Sequence, residues 1–531
     1  MIRNKRILLI CRESYSFPLF FIAQKMLDQN NEVGAFFVYP EESAYNKCYY
    51  NENTYYAFKE KLPKVDTFGL EDFCNEFIQL NKSSKQLDLD FLYKIEAEFT
   101  FYKNLNQQLI SSQSTTRQFH TRPYYKYSTQ SENLNYLQLG YKKVLSVLDE
   151  FKPDVILDSE DSELLRTILN EIAYRKQIPY INIDYPRYEK YKIPTFNLGL
   201  KVGSFFEKEY NKFLKSDYAL LGNEIAYINN ARNKNEIMSS EFKGTITSQY
   251  KPSNLLKVLK YIIIKALYFF NVYVVKKNFK VVSNKSPIFT SPLKHFYFYL
   301  KVEIKKQILY RKNKYFQIPV KDEQYVYMPL HLIPESTTFV KAPFYVNELF
   351  LIEQISKSLP ITWKLYVKEH QAMIGERSLQ FYKKIKQFPN VRLVQFNFYD
   401  DPKPWIENSK GVITISGSTA YEAAILGKKS VVFADVPFKL LEGVTKVDSF
   451  EKLASSFAEF GEIDNIKSCA AYIAAVKSVG TEIDIKYLIS ESEAIINGDA
   501  NVSEKFDKNI SLLVSFYNKA YLINDSQNLE Y

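Results

Sequence analysis

Apolar residues fall along this chain in short runs separated by stretches with helical spacing. Residues 7–11 (Ile-Leu-Leu-Ile-Cys) form one apolar run, residues 20–27 carry apolar side chains at helical intervals, and residues 33–38 form a second run. Strand, helix, strand at this spacing is a βαβ unit, and it implies a parallel sheet. Residues from about 70 to 135 are polar, Gln- and Ser-rich and in places aperiodic, which predicts a helical insertion with a long loop at 111–117. The rhythm then resumes with a helix at 136–151, a strand at 154–157, a helix at 163–176 and a strand at 179–183.

From about 205 to 320 the pattern becomes basic, aromatic and weakly periodic, which predicts a linker with extra helices. It restarts at Gln324. Strands at 325–329, 362–367, 391–395, 412–415 and 430–434 alternate with helices at 345–359, 376–387, 402–409 and 419–426. Five strands so interleaved predict a doubly wound α/β domain. The chain therefore divides into a Rossmann-like domain over 1–204, a linker with helices over 205–322, and a second Rossmann-like domain over 323–500. A helical tail over 501–531, with its helix at 503–522, is able to cross back. Two such halves frame a cleft, and open parallel sheets bind ligands beyond the carboxyl ends of their strands.

Composition narrows the picture only a little. The 531 residues include 70 Lys and Arg against 60 Asp and Glu, a net charge of +10. Without a concentrated basic motif, that excess argues against nucleic acid and fits anionic sugars or a membrane surface. The 42 Tyr and 40 Phe are equally the mark of an AT-rich genome and are given no functional weight. Cys11, Cys48, Cys74 and Cys469 lie far apart without a CxxC pair, which argues against a disulfide framework and a zinc site. The apolar run near the N-terminus is about five residues long, too short for a signal peptide, so a reducing, cytoplasmic compartment is expected. Residues 261–275 contain Lys265 and Asn271 and fall short of a membrane span. Lysines 257, 260, 276, 277 and 280 fringe that stretch. Residues 255–280 read either as a helix lying on an anionic membrane surface or as a core helix between domains.

The strand ends carry the candidate chemistry. After strand 412–415 comes Ser416-Gly-Ser-Thr419 and then a helix, a small-residue turn that exposes unpaired backbone N–H groups. Gly417 permits close approach, and Ser416, Ser418 and Thr419 add hydroxyls. The turn reads as a phosphate site or as a plain helix cap. Glu422, three residues on, is placed to accept from ribose hydroxyls or merely complements the helix dipole. After strand 362–367 come Lys368 and His370, both able to donate to phosphate oxygens, and His331 follows strand 325–329 at the same edge. In the first half, Asp158-Ser-Glu-Asp161 follows a strand. Glu160 and Asp161 are candidates for a base or electrostatic stabiliser, or they cap the next helix. Arg187 is placed to meet an anionic sugar acid or is a surface arginine. No Asp-x-Asp pair stands at a strand end, so no metal is expected.

Residues 325–447 resemble the capsule polysaccharide biosynthesis family of bacterial glycosyltransferases, which includes Kdo transferases. The resemblance rests on Pro329-Leu-His-Leu-Ile-Pro-Glu335, on Val367-Lys-Glu-His370 with Gly375 and Arg377, on Phe388-Pro-Asn-Val-Arg-Leu393, and on Ile413-Thr-Ile-Ser-Gly-Ser-Thr419 with Glu422, Gly427 and Lys428. It extends faintly to Pro153-Asp-Val-Ile-Leu157 and to Ile178-Pro-Tyr-Ile181 with Arg187. It implies a GT-B fold, two Rossmann-like domains about a cleft, with a nucleotide-sugar donor held by the second domain and a glycan or glycolipid acceptor. It also implies a His-Pro pair and a Ser/Thr turn gripping the phosphate of a CMP-sugar such as CMP-Kdo, here His370 with Ser416, Ser418 and Thr419. Gln371 stands where that proline would be. The Ser-Gly-Ser-Thr and Glu arrangement is similar to the nucleotide site of UDP-N-acetylglucosamine 2-epimerases as well. The expected protein is a glycosyltransferase of surface polysaccharide synthesis, needing no cofactor beyond its donor. A sugar-nucleotide epimerase and a non-catalytic assembly protein on the same fold are the rivals.

Overall fold

The computed structural model describes residues 1–38, 52–82, 87–101, 103–111, 129–160, 164–196, 204–237, 250–270, 292–311, 315–333 and 336–526. Strands β1 (Arg6–Cys11), β2 (Glu32–Phe37), β3 (Val65–Phe68), β4 (Val155–Leu157), β5 (Tyr180–Asp184) and β6 (Tyr191–Thr195) belong to the first half. With β13 (Thr481–Glu482) they form one seven-stranded sheet in the order 13-6-5-4-1-2-3. β1 through β5 pair in parallel, while β6 and β13 add to the edge in antiparallel. β1 is buried along almost its whole length, as expected of a central parallel strand covered on both faces by helices.

The second sheet contains β7 (Tyr325–Pro329), β8 (Lys364–Lys368), β9 (Val391–Val394), β10 (Gly411–Thr414), β11 (Ser430–Val432) and β12 (Val444–Lys446), in the order 12-11-10-7-8-9. All its pairings are parallel. Counted from β7, this is the 3-2-1-4-5-6 order of a doubly wound α/β sheet. The expected architecture, two doubly wound α/β sheets flanked by helices, is the one observed. β3, β6, β12 and β13 come in addition to the strands legible from periodicity, and all four lie at or next to a sheet edge, where strands are short and weakly apolar.

The region 70–135 contributes helices Glu71–Lys82, Leu89–Glu98 and Leu105–Ser111, and the 22-residue helix Gln130–Phe151 follows. That last helix starts at a capping box in which Thr129 and Glu132 each satisfy the other's backbone N–H. The loop expected at 111–117 lies almost wholly outside the described residues.

The chain crosses back earlier than residue 501. Helix Ile466–Val479 packs on Phe205–Leu214 and Gly222–Asn233, and Tyr472 donates to the carbonyl of Pro186 at 2.9 Å. β13 then joins β6, and helices Ile485–Asn497 and Glu504–Ser526 lie on Ser16–Asp28. Within 466–500, then, helix Ile466–Val479 packs on helices of the 205–233 region, and helix Ile485–Asn497 packs on the first domain. A buried ion pair joins the halves directly: Lys341 Nζ lies 3.0 Å from Asp184 at the end of β5, and both side chains are almost fully enclosed. Cys11 and Cys469 are buried free thiols.

Candidate functional site

Strand order in the second sheet reverses between β7 and β10. Their connections leave in opposite directions, so a crevice opens at the carboxyl ends of these two strands. His331 leaves β7, the 416–419 turn leaves β10, and Lys368 ends β8 with His370 just beyond. The sequence-derived candidates of the second domain thus meet at one edge.

A buried ionic frame supports that edge. Arg377 Nη2 lies 2.6 Å from Glu348, its Nε lies 3.0 Å from Glu369, and it donates to the backbone carbonyl of His331 at 2.8 Å. All three charged side chains are at most 4% exposed. Tyr382 donates to Glu369 at 2.8 Å, and the N–H of His331 donates to Glu348 at 2.6 Å. Burial drives the Glu369 carboxyl above its ordinary range, with Arg377 offsetting part of the rise. Burial acts on Glu348 too, but Arg377 and His331 outweigh it and hold that carboxyl low.

His331 and Ser416 belong to this frame and are themselves buried. His331 Nε2 lies 3.0 Å from Thr414 Oγ1, and Thr414 Oγ1 accepts the N–H of Gly417 at 3.1 Å. Ser416 N donates toward His331 Nε2 at 3.4 Å, while its hydroxyl faces Thr338. Of the expected donors, then, His331 and Ser416 shape the turn from below. A Cβ on residue 417 would sit 2.6 Å from Thr414 Oγ1, so the turn closes over that hydroxyl only with glycine there.

The surface of the crevice is formed by half-buried Gly417, Ser418, Thr419, Lys368, His370 and Glu422. Ser418 makes no helix-capping bond; its hydroxyl donates to Glu422 at 3.0 Å. The backbone N–H groups of Ser418 and Thr419 make no bond to any described residue. They are the donors a phosphate would meet. Lys368 forms no ion pair among the described residues; burial lowers its pKa, and Glu422 and Asp401 counteract this. His370 Nδ1 accepts the N–H of Ala372 at 3.2 Å, which leaves the proton of a neutral ring on Nε2. Burial, reinforced by His331 and Arg377, pushes its pKa down to about 4. His370 is therefore a neutral donor at physiological pH.

Glu422 is pushed up to about 7, mainly by burial and further by Asp401, while Ser418, Arg187 and Lys368 pull it down. Donor affinity should accordingly rise as pH falls from 8 to 6, because protonation removes a negative charge beside the phosphate. The limit for one proton is about tenfold per pH unit. Titration calorimetry with a nucleotide-sugar should show this slope in the native protein and a flat profile in Glu422→Gln; an equal slope in both excludes Glu422.

Across the cleft, Arg187 lies in the β5–β6 loop with φ 70°, a left-handed conformation that is costly outside glycine. The loop is pinned by Tyr472 at Pro186 and by Tyr227, which donates to Glu189 at 3.0 Å. Arg187 is within electrostatic reach of Glu422 of the second domain. Glu160 is held within the first domain. The first sheet reverses its strand order between β1 and β4, and there Glu160 is held by Arg12 at 3.0 Å and Arg166 at 2.5 Å, with Arg166 also 2.9 Å from buried Asp158. Tyr180 and Arg166 hold Asp158 in turn. Paired with two guanidiniums, Glu160 is an anchor of this network. Asp161 lies outside the described residues. Among those described, no three His, Cys, Asp or Glu side chains cluster so as to hold a metal ion.

Glu348 lies outside the sequence reading, and Glu369, Thr414 and Arg377 enter it only within the quoted motifs. One signal was available. Glu348 stands on the stripe of Leu351, Ile352 and Ile355, the buried face of its helix; an acid at such a position needs a buried partner.

No protein-family model matches the sequence, and no curated protein matches it. Solved structures align at low identity. The β-Kdo 2,7-transferase KpsC of Thermosulfurimonas dismutans covers 71% of this chain and 89% of its own, at 11% identity and TM-score 0.35. The UDP-GlcNAc 2-epimerase of Methanocaldococcus jannaschii, solved with UDP-GlcNAc and UDP, covers 89% and 99% at 13% identity and TM-score 0.25. The wall teichoic acid polymerase TagF covers 36% and 51% at 15% identity and TM-score 0.20. These likenesses concern the fold; the chemistry of the site rests on the residues described above.

Proposed function

We propose that the protein is a glycosyltransferase that moves a sugar from a nucleotide-sugar to a glycan or glycolipid acceptor. One observation carries the reading: Lys368, His370 and the 416–419 turn converge at the strand-order reversal of the second sheet, with Arg187 of the first domain facing the same cluster electrostatically. The nucleotide phosphate would be met by the Ser418 and Thr419 N–H groups, the Lys368 ammonium and the Nε2–H of His370. Fixed donors of this kind stabilise charge that develops on the leaving phosphate as the glycosidic bond breaks, with no reorganisation at the moment of reaction. The sequence resemblance makes a CMP-linked 3-deoxy sugar acid our choice of donor, with Arg187 as partner of its carboxylate, and we propose that transfer is metal-independent.

A thermal-shift series with CMP, CDP, UDP and GDP tests this. Binding at a hundredfold excess over Kd adds about 2.7 kcal/mol of stability, so the nucleotide that raises Tm names the donor class. Lys368→Ala and His370→Ala should each abolish the shift, and EDTA should leave it intact. An undiminished shift in both variants, or no shift with any nucleotide, ends the proposal. Isomerisation of a UDP-sugar without an acceptor would reassign the protein as an epimerase.

A further inference from the structure

The helix Leu255–Phe270 (Leu-Leu-Lys-Val-Leu-Lys-Tyr-Ile-Ile-Ile-Lys-Ala-Leu-Tyr-Phe-Phe) contains no acidic residue. At about 100° per residue, Leu255, Leu259, Phe270, Ile263, Leu256 and Leu267 fall within an arc of about 120°, and Lys260 and Lys257 border one side of it. Each of those six apolar side chains is at least 51% exposed. Six large apolar side chains side by side form a continuous apolar face of a kind that marks an interaction surface. Among the described residues no helix is long and apolar enough to cross a membrane.

The neighbouring helix Pro292–Arg311 extends the same character. Gln307 donates to the carbonyl of Ser253 at 2.8 Å, and Tyr297 and Ile304 are more than half exposed, with Lys301 and Arg311 exposed beside them. This second helix is fixed to the second domain. Lys305 Nζ donates to the carbonyls of Glu376 and Arg377, each at 3.0 Å, and a Cβ on Gly375 would lie 2.6 Å from Lys306 Cγ. Through this second helix the exposed apolar face is tied to the loop that carries Arg377.

We infer that Leu255–Phe270 lies in the interface of an anionic membrane, its leucine arc among the acyl chains and Lys257 and Lys260 at the headgroups. Apolar arc and cationic border match the two layers of such a surface, and an uncharged partner would leave the lysines without a counterpart. Resting on the transferase reading, the inference adds the acceptor's class: a glycolipid presented at that surface. Residues 271–280, read from sequence as part of the same stretch, lie outside the described residues.

Co-sedimentation of the full chain with phosphatidylglycerol or phosphatidylcholine vesicles tests it. The native protein should partition onto phosphatidylglycerol at least tenfold better. Leu256→Asp with Leu267→Asp should abolish that binding, and Lys257→Gln with Lys260→Gln should weaken it about fivefold per lysine. Both pairs of changes are at exposed positions, and the nucleotide thermal shift should be unchanged in each. Loss of the thermal shift in native protein defeats the transferase reading while leaving vesicle binding as found. The inference is overturned if native protein ignores phosphatidylglycerol. It is also overturned if sedimentation velocity without lipid shows a dimer that the Asp pair converts to monomer, since a second copy would then cover this face.

Discussion

Arg377→Met is expected to lower the melting point of the second domain by about 10 °C and to eliminate nucleotide binding. Arg377 is the shared partner of Glu348 and Glu369 and also holds the carbonyl of His331. Methionine fills similar volume but leaves two carboxylates facing each other with almost no water. Removing one partner of a buried ion pair costs about 3–5 kcal/mol, and each kcal/mol shifts Tm by roughly 2–4 °C in a domain of this size. The loss should be relieved by neutralising the carboxylates as well: Arg377→Met combined with Glu348→Gln and Glu369→Gln should recover part of the melting point without recovering binding, because His331 still lacks its clamp. Differential scanning calorimetry and the nucleotide shift together read both effects. A single-variant loss below about 3 °C would show that the frame is not holding the crevice.

Lys341→Met should be the second most damaging substitution, and its damage should appear between the domains. Lys341 and Asp184 are about 5–6% exposed and meet at 3.0 Å across the two halves. Without the ammonium, Asp184 keeps a buried charge at the end of β5, again a loss of about 3–5 kcal/mol. The halves should separate more readily, which limited proteolysis of the segment 204–237 would register as faster cleavage. Lys341→Met with Asp184→Asn should be less harmful than Lys341→Met alone, since it removes the stranded charge along with its partner. Equal harm in single and double variants would mean the pair contributes packing and not charge compensation.

The sequence made some of this visible for a simple reason. Parallel strands are buried on both faces, so β1, β7 and β10 register as short apolar runs, and the residues just after each run stand by construction at the ligand-binding edge. Lys368, His370 and the 416–419 turn could be found that way. The division of labour among them could not. Whether His331 faces a ligand or Thr414 depends on packing between β7 and β10, which are more than eighty residues apart in the chain. Glu160 reads as an acid at a strand end, yet Arg12, from the end of β1, neutralises it. β13 is two residues of polar sequence and carries no periodicity at all; its place beside β6 is a matter of chain path, not of local pattern.

That late edge strand has a consequence for synthesis. β6 leaves the ribosome about 290 residues before β13, on the order of tens of seconds at cellular elongation rates. Throughout that interval the nascent first half presents an unpaired strand edge and the bare helix faces that Ile466–Val479 and Glu504–Ser526 will eventually cover. A nascent chain in that state is a natural client for chaperones, and it completes its first-made half only after its second half has been translated.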